Sequence, residues 1–138
     1  MALDVYLQSD ANPPETTENL FLSFEDDGYF WFLHSFFEDI SKQTGQVIDL
    51  CEDAFFDGEN LELFNQMIER VRKETAQKTD LWSEFTGTIV HQDKDKEERV
   101  EKMFSTVHKK KLNSILEKLE KAVGEARQKN TGIFFCGD

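Results

Sequence analysis

Residues 25–37, EDDGYFWFLHSFF, run three carboxylates into a glycine and then set six aromatic rings within nine residues. A carboxylate accepts hydrogen bonds from the free N–H groups of a helix start and suits its positive end, so Asp26 or Asp27 is the expected N-cap. Beyond it Tyr29, Phe32, Leu33, Phe36 and Ile40 recur at the spacing of one helical face. Gly45 is placed to end the helix in the left-handed conformation. Phe30 and Trp31 fall outside that face. Either a second layer covers them, or they stand in solvent beside Glu25, Asp26 and Asp27 as aromatic anchors with an acidic rim.

Working outward, the alternation of Leu3, Val5 and Leu7 with Asp4, Tyr6 and Gln8 predicts a half-buried strand. Pro13-Pro14 makes residues 9–19 a loop, and residues 20–24 are a second short strand. After the aromatic helix, residues 46–51 read as a strand and residues 54–60, AFFDGEN, as a loop in which Asn60 caps the next helix. Leu61, Phe64, Ile68 and Val71 mark that helix to about residue 77. Residues 82–91 predict a strand with Thr86, Thr88 and Val90 on one face and Phe85, Gly87 and Ile89 on the other. A charged tip, HQDKDKEE, follows. Residues 99–107 fit either a helix or a strand, and the preceding tip favours a returning hairpin strand. Leu112, Ile115, Leu116, Leu119 and Val123 define a third helix over 109–129, and GIFFCGD closes the chain as a short apolar strand.

The order β-β-α-β-α-β-β-α-β predicts an α+β fold: one domain over residues 1–138, in two layers, with a mixed sheet of five to six strands and three helices. Residues 46–51 and the last strand are the expected sheet centre. The charged hairpin is the expected edge. A length of 138 residues fits one core. Thirteen Phe, two Trp and two Tyr make each buried position large.

The formal charge is −12. Residues 1–70 hold 16 Asp/Glu against Lys42 and Arg70, a net of −14, whereas residues 71–138 hold 12 Asp/Glu against 14 Lys/Arg, a net of +2. A field of that sign repels phosphate backbones, which argues against direct nucleic-acid binding, and attracts a basic protein. No apolar run reaches the length of a membrane span, and the first residues carry no basic region of a signal peptide. With two cysteines, Cys51 and Cys136, in apolar stretches, the expectation is a cytoplasmic protein with reduced, buried thiols.

Catalytic and metal signatures are missing. There is no phosphate loop, no GxGxxG, GxSxG, HExxH or CxxC, so neither a cofactor nor a metal is expected. The acidic segment 49–60 fails as a calcium loop: counted from Asp49, Ala54 occupies the glycine position and Asn60 the final ligand position. Glu25, Asp26 and Asp27 have no nucleophile or base beside them in sequence. A second aromatic pair, Phe55 and Phe56, lies between Glu52/Asp53 and Asp57/Glu59, repeating the composition of the first.

The stretches EDDGYFWF (25–32) and EDAFFDGE (52–59), with the lopsided charge, resemble small bacterial immunity proteins. That family consists of acidic cytosolic single domains that neutralise a cognate toxin, often a basic nuclease. The layout DDGYxWFL…TGQxIDL…GD is also similar to that of uncharacterised bacterial proteins, which implies no activity. The immunity resemblance implies a basic, toxin-like protein partner. Glu25, Asp26, Asp27, Asp53, Asp57 and Glu59 would steer and pair its cations, and Phe30, Trp31, Phe55 and Phe56 would supply apolar anchors. Two alternatives stay open: a small ligand-binding or enzymatic domain with a pocket beside the aromatic helix, and a phage-encoded nucleic-acid mimic.

Overall fold

The computed structural model describes residues 2–92, 94 and 97–137. Nine elements follow one another: β1 (Ala2–Gln8), β2 (Leu20–Glu25), α1 (Gly28–Thr44), β3 (Ala54–Phe56), α2 (Glu59–Ala76), β4 (Leu81–Gln92), β5 (Glu98–His108), α3 (Lys109–Lys129) and β6 (Gly132–Cys136). The fold is α+β, with three helices layered on one face of a sheet. The expected single mixed sheet is replaced by two antiparallel ones: a four-stranded sheet in the order β2-β1-β6-β3, and a separate ribbon of β4 and β5. Of the charged tip between β4 and β5, residues 93, 95 and 96 lie outside the described residues.

Two strand assignments change. Residues 46–51 form no strand, although Ile48 and Leu50 are buried. Asp49 turns the chain there: its carboxylate accepts the Leu50 N–H at 2.6 Å, and its carbonyl accepts the Glu52 N–H at 3.3 Å. The ladder bonds to β6 are instead made by residues 54–56, expected as loop. Gln46 finds its use as a side-chain brace, accepting the Phe55 N–H at 2.8 Å. The sheet centre is therefore β1 with β6. Asn60 is not the cap of α2; Gly58 stands there at φ 50°, and Glu59 and Glu62 in the first turn face the positive end of the helix.

α1 forms as its sequence dictates. Asp27 is the N-cap, accepting from the N–H groups of Tyr29 at 3.0 Å and Phe30 at 3.4 Å. Gly45 closes the helix at φ 77°, donating its N–H to the Ser41 carbonyl. All five residues of the expected stripe are buried, and so are Phe30 and Phe37. The helix is covered on two sides. Phe30 and Phe37 meet each other at 6.0 Å, and Phe37 reaches Phe24 and Phe135 of the sheet at 6.2 and 6.3 Å. Tyr29 and Phe32 face the ribbon. Phe135 also meets Phe56 and Phe64, joining the sheet to α2.

The ribbon docks only by its base. Gly28 has no room for a side chain: a Cβ there would lie 2.8 Å from Val107 Cγ2 and 3.0 Å from the Ser105 carbonyl oxygen. The His108 N–H donates to Tyr29 Oη at 3.1 Å, and Trp82 packs on Phe32 at 5.3 Å. β5 runs directly into α3, whose first residue Lys109 donates to the carbonyls of Ala76 and Lys78 at the end of α2. That lysine satisfies the last carbonyl of one helix, at Ala76, and that of Lys78 just beyond it, while starting the next helix.

Candidate functional site

The strand register decides which acidic residues share a surface. Glu25 ends β2 opposite Ala2, Asp4 lies opposite Ser23 on one side and Cys136 on the other, and Ala54 lies opposite Phe135. The end of β2, the start of β1, the end of β6 and the start of β3 therefore form one end of the sheet. Glu25, Asp26 and Asp27 lie at its β2 side, Glu52 and Asp53 at its β3 side, and Asp4 between them. With strands about 4.8 Å apart, the outer two are about 14 Å from each other. Contact across this end is close: Asp53 Oδ1 accepts the Gly137 N–H at 3.0 Å, and a Cβ on Gly137 would lie 2.5 Å from the Glu52 backbone nitrogen. Asp4 Oδ1 accepts the Ser23 hydroxyl across β1 and β2.

α1 rises from the same end and extends it. Trp31 is half-buried against Phe30 and His34, at 5.2 and 5.0 Å, and its Nε1 donates to Asp26 at 2.7 Å. One turn on, His34 Nδ1 lies 3.3 Å from Glu38. A shallow cleft of about 300 Å³ beside α1 is lined by His34, Glu38, Ser41, Lys42, Val47, Ile48 and Asp49. The His–carboxylate pair at its edge is an i,i+4 surface pair, and the Ser41 hydroxyl in the lining donates to the Phe37 carbonyl at 2.8 Å, within its own helix. Among the described residues no group of three or more His, Cys, Asp or Glu is placed to hold a metal ion, and no helix is long and apolar enough to cross a membrane.

Four of the expected site residues are relocated. Phe30 and Phe56 are both 0% exposed, so neither presents a surface to a partner. Phe56 instead packs on Phe64 and Phe135 at 5.3 and 5.7 Å. Asp57 and Glu59 are exposed but follow the other end of β3, away from Asp53, and belong to the entry of α2. Phe55 is half-buried, with its ring over the Cα of Gly132, where an added Cβ would lie 2.5 Å away, and 6.5 Å from Phe134. What stays together is Glu25, Asp26, Asp27, Trp31 and Asp53. Asp4 and Glu52 join them, and only the strand register reveals the grouping. Cys51 is exposed rather than buried, and Cys136 is half-buried; both are thiols.

One further apolar surface lies on the β4–β5 ribbon, where Leu81, Phe85, Val90, Val100 and Phe104 are all exposed. The chain matches no family model, no curated protein and no solved structure.

Proposed function

We propose that the chain is a protein-binding domain that holds a basic protein partner against the acidic end of its four-stranded sheet. The observation that carries this reading is the register that gathers Glu25, Asp26, Asp27, Asp4, Glu52 and Asp53 at one end, beside the half-buried Trp31. These carboxylates sit in the half of the chain whose net charge is −14. Clustered charge of one sign speeds encounter with an opposite partner and loses that effect as salt rises, while a fixed aromatic such as Trp31 slows departure. Neutralising a toxin-like basic protein is the biological role that suits such a surface, because covering a cationic active face blocks it.

The test is capture from the native host at low and high salt, repeated with two variants of opposite expectation. A basic partner is expected at low salt and is expected to weaken at high salt. Glu25→Lys with Glu52→Lys, both exposed, is expected to weaken the same partner by roughly tenfold or more with the fold unchanged by circular dichroism. Asp57→Lys, at the opposite end of β3, is expected to leave it unchanged. No stoichiometric partner, or equal loss in both variants, rejects the acidic end as the binding surface.

A further inference from the structure

The β4–β5 ribbon carries an apolar face that nothing in the described chain covers. Directly opposed residues share a face of a two-stranded sheet. Phe85 opposes Phe104, but the next pair is Gly87 with Met103, so Thr86 is the extra residue of a β-bulge. Gly87 at φ 151° adopts a conformation open almost only to glycine. The bulge reverses the phase of β4. Phe85, Thr88, Val90 and Gln92 therefore share one face, with Phe104, Lys102, Val100 and Glu98 opposite them, and Leu81 begins the same face at the base. This face points away from α1, because Trp82 and Val107 take the inner side. Its apolar members are open: Leu81 57%, Phe85 49%, Val90 58%, Val100 64% and Phe104 59% exposed.

We propose that this outer face is the contact between two copies of the chain, packed ribbon to ribbon about a two-fold axis that runs along the strands. Such an axis lays β4 of one copy over β5 of the other. Phe85 then meets the second copy's Phe104, Val90 meets Val100, Thr88 meets Lys102 and Gln92 meets Glu98. Every layer is self-complementary, as an isologous contact requires, and no charge is set against its like. The charge of the face itself, rather than that of the whole chain, favours a second copy over a basic partner here. The face holds one Lys and one Glu, so it is a neutral surface on a chain of net charge −12. Two copies can meet on it without adding like charges to the contact itself, and salt screens the repulsion between their acidic remainders. Five side chains, each about half open, expose roughly 500 Å² per copy, so a symmetric pair buries ~1,000 Å², the lower bound for a specific interface.

Sedimentation velocity on the full chain, in low and high salt, reads the proposal directly. A dimer is expected in the range of ~10–100 µM, and high salt is expected not to dissociate it, in contrast to the basic partner at the acidic end. Phe104→Lys is expected to give a monomer with unchanged circular dichroism. The register is tested without a destabilising charge. Chains with Cys51 and Cys136 replaced by Ser are made as Val90→Cys and as Val100→Cys. Oxidised with diamide, the mixture is expected to form a cross-linked pair in far higher yield than either chain alone. A wild-type monomer throughout this range overturns the proposal, including when the same face binds a vesicle or another protein instead. A dimer that persists in Phe104→Lys, or equal cross-linking in all three samples, overturns it too. None of these results depends on whether the acidic end has a partner.

Discussion

The inner face of the four-stranded sheet and the outer face of the β4–β5 ribbon are written in the same alternation of apolar residues, but their surroundings differ. Leu3, Val5, Ile133, Phe135, Ala54 and Phe56 are all buried beneath three helices, whereas Phe85, Val90, Val100 and Phe104 stand open. Alternation reports that one side of a strand prefers to leave water. It does not report what will cover that side. In the sheet the cover comes from α1, α2 and α3 of the same chain. In the ribbon only the base, at Trp82 and Val107, reaches α1, and the distal part projects past the helices. A core face and an interface face therefore have one sequence signature and two structural meanings.

Substitutions on the two faces should separate these meanings most strongly. Phe135 touches Phe37, Phe56 and Phe64 and is 0% exposed, so Phe135→Ala is expected to cost about 3–5 kcal/mol in denaturant unfolding. Phe104→Ala, measured on the dilute chain, is expected to change stability by less than about 0.5 kcal/mol, its ring contact being one exposed edge-on pair with Phe85 at 5.9 Å. If Phe104→Ala costs as much as Phe135→Ala, the ribbon is part of the core and the contrast collapses.

The junction between the two regions gives the next largest effect. At Gly28 a methyl group would meet Val107 Cγ2 at 2.8 Å, which the side chain can yield, and the Ser105 carbonyl at 3.0 Å, which is backbone. Gly28→Ala is expected to cost about 1–3 kcal/mol and to raise hydrogen exchange in β4 and β5 more than in β1 and β6. Uniform acceleration across both sheets would show that the ribbon does not loosen as a separate unit.

The smallest effect concerns the outer face of the four-stranded sheet at alkaline pH. Burial, and then the charges of Asp4 and Cys136, raise the Tyr6 hydroxyl above its ordinary value near 10. The folded chain therefore holds this proton more tightly than the unfolded one. The associated stability is complete below pH 10 and is lost as pH rises through the raised value. Tyr6→Phe is expected to flatten the alkaline limb of a stability–pH curve without moving its neutral plateau. An unchanged alkaline limb would mean that Tyr6 does not titrate against this background.

Much of the fold was legible in the sequence because its signals are local. Asp27 and Gly45 bound α1 through their own backbone chemistry, and Leu112, Leu116, Leu119 and Val123 repeat at the helical period along α3. The misses have non-local causes. Residues 46–51 have strand composition, yet the hydrogen bonds of β6 went to residues 54–56, a choice made by pairing. Phe30 and Phe56 have the flanking acids expected of exposed anchors. For Phe30 the sequence left a covering second layer open, and the structure supplies it; for Phe56 no local pattern announced the layer that buries it. The phase of β4 was read without the bulge, so Phe85 was placed on the wrong side of Val90.

The sequence alone determined the α+β class, the three helices with the caps of α1, and an acidic half set against a near-neutral one, because each follows from neighbouring residues or from a sum over them. Only the tertiary structure decided that Glu25, Asp26 and Asp27 share an end with Asp53 and not with Asp57. It also decided that Phe30 and Phe56 are core, and that the ribbon is left uncovered. Those outcomes rest on register and layer packing, where residues far apart in the chain compete for the same hydrogen bonds and the same buried space.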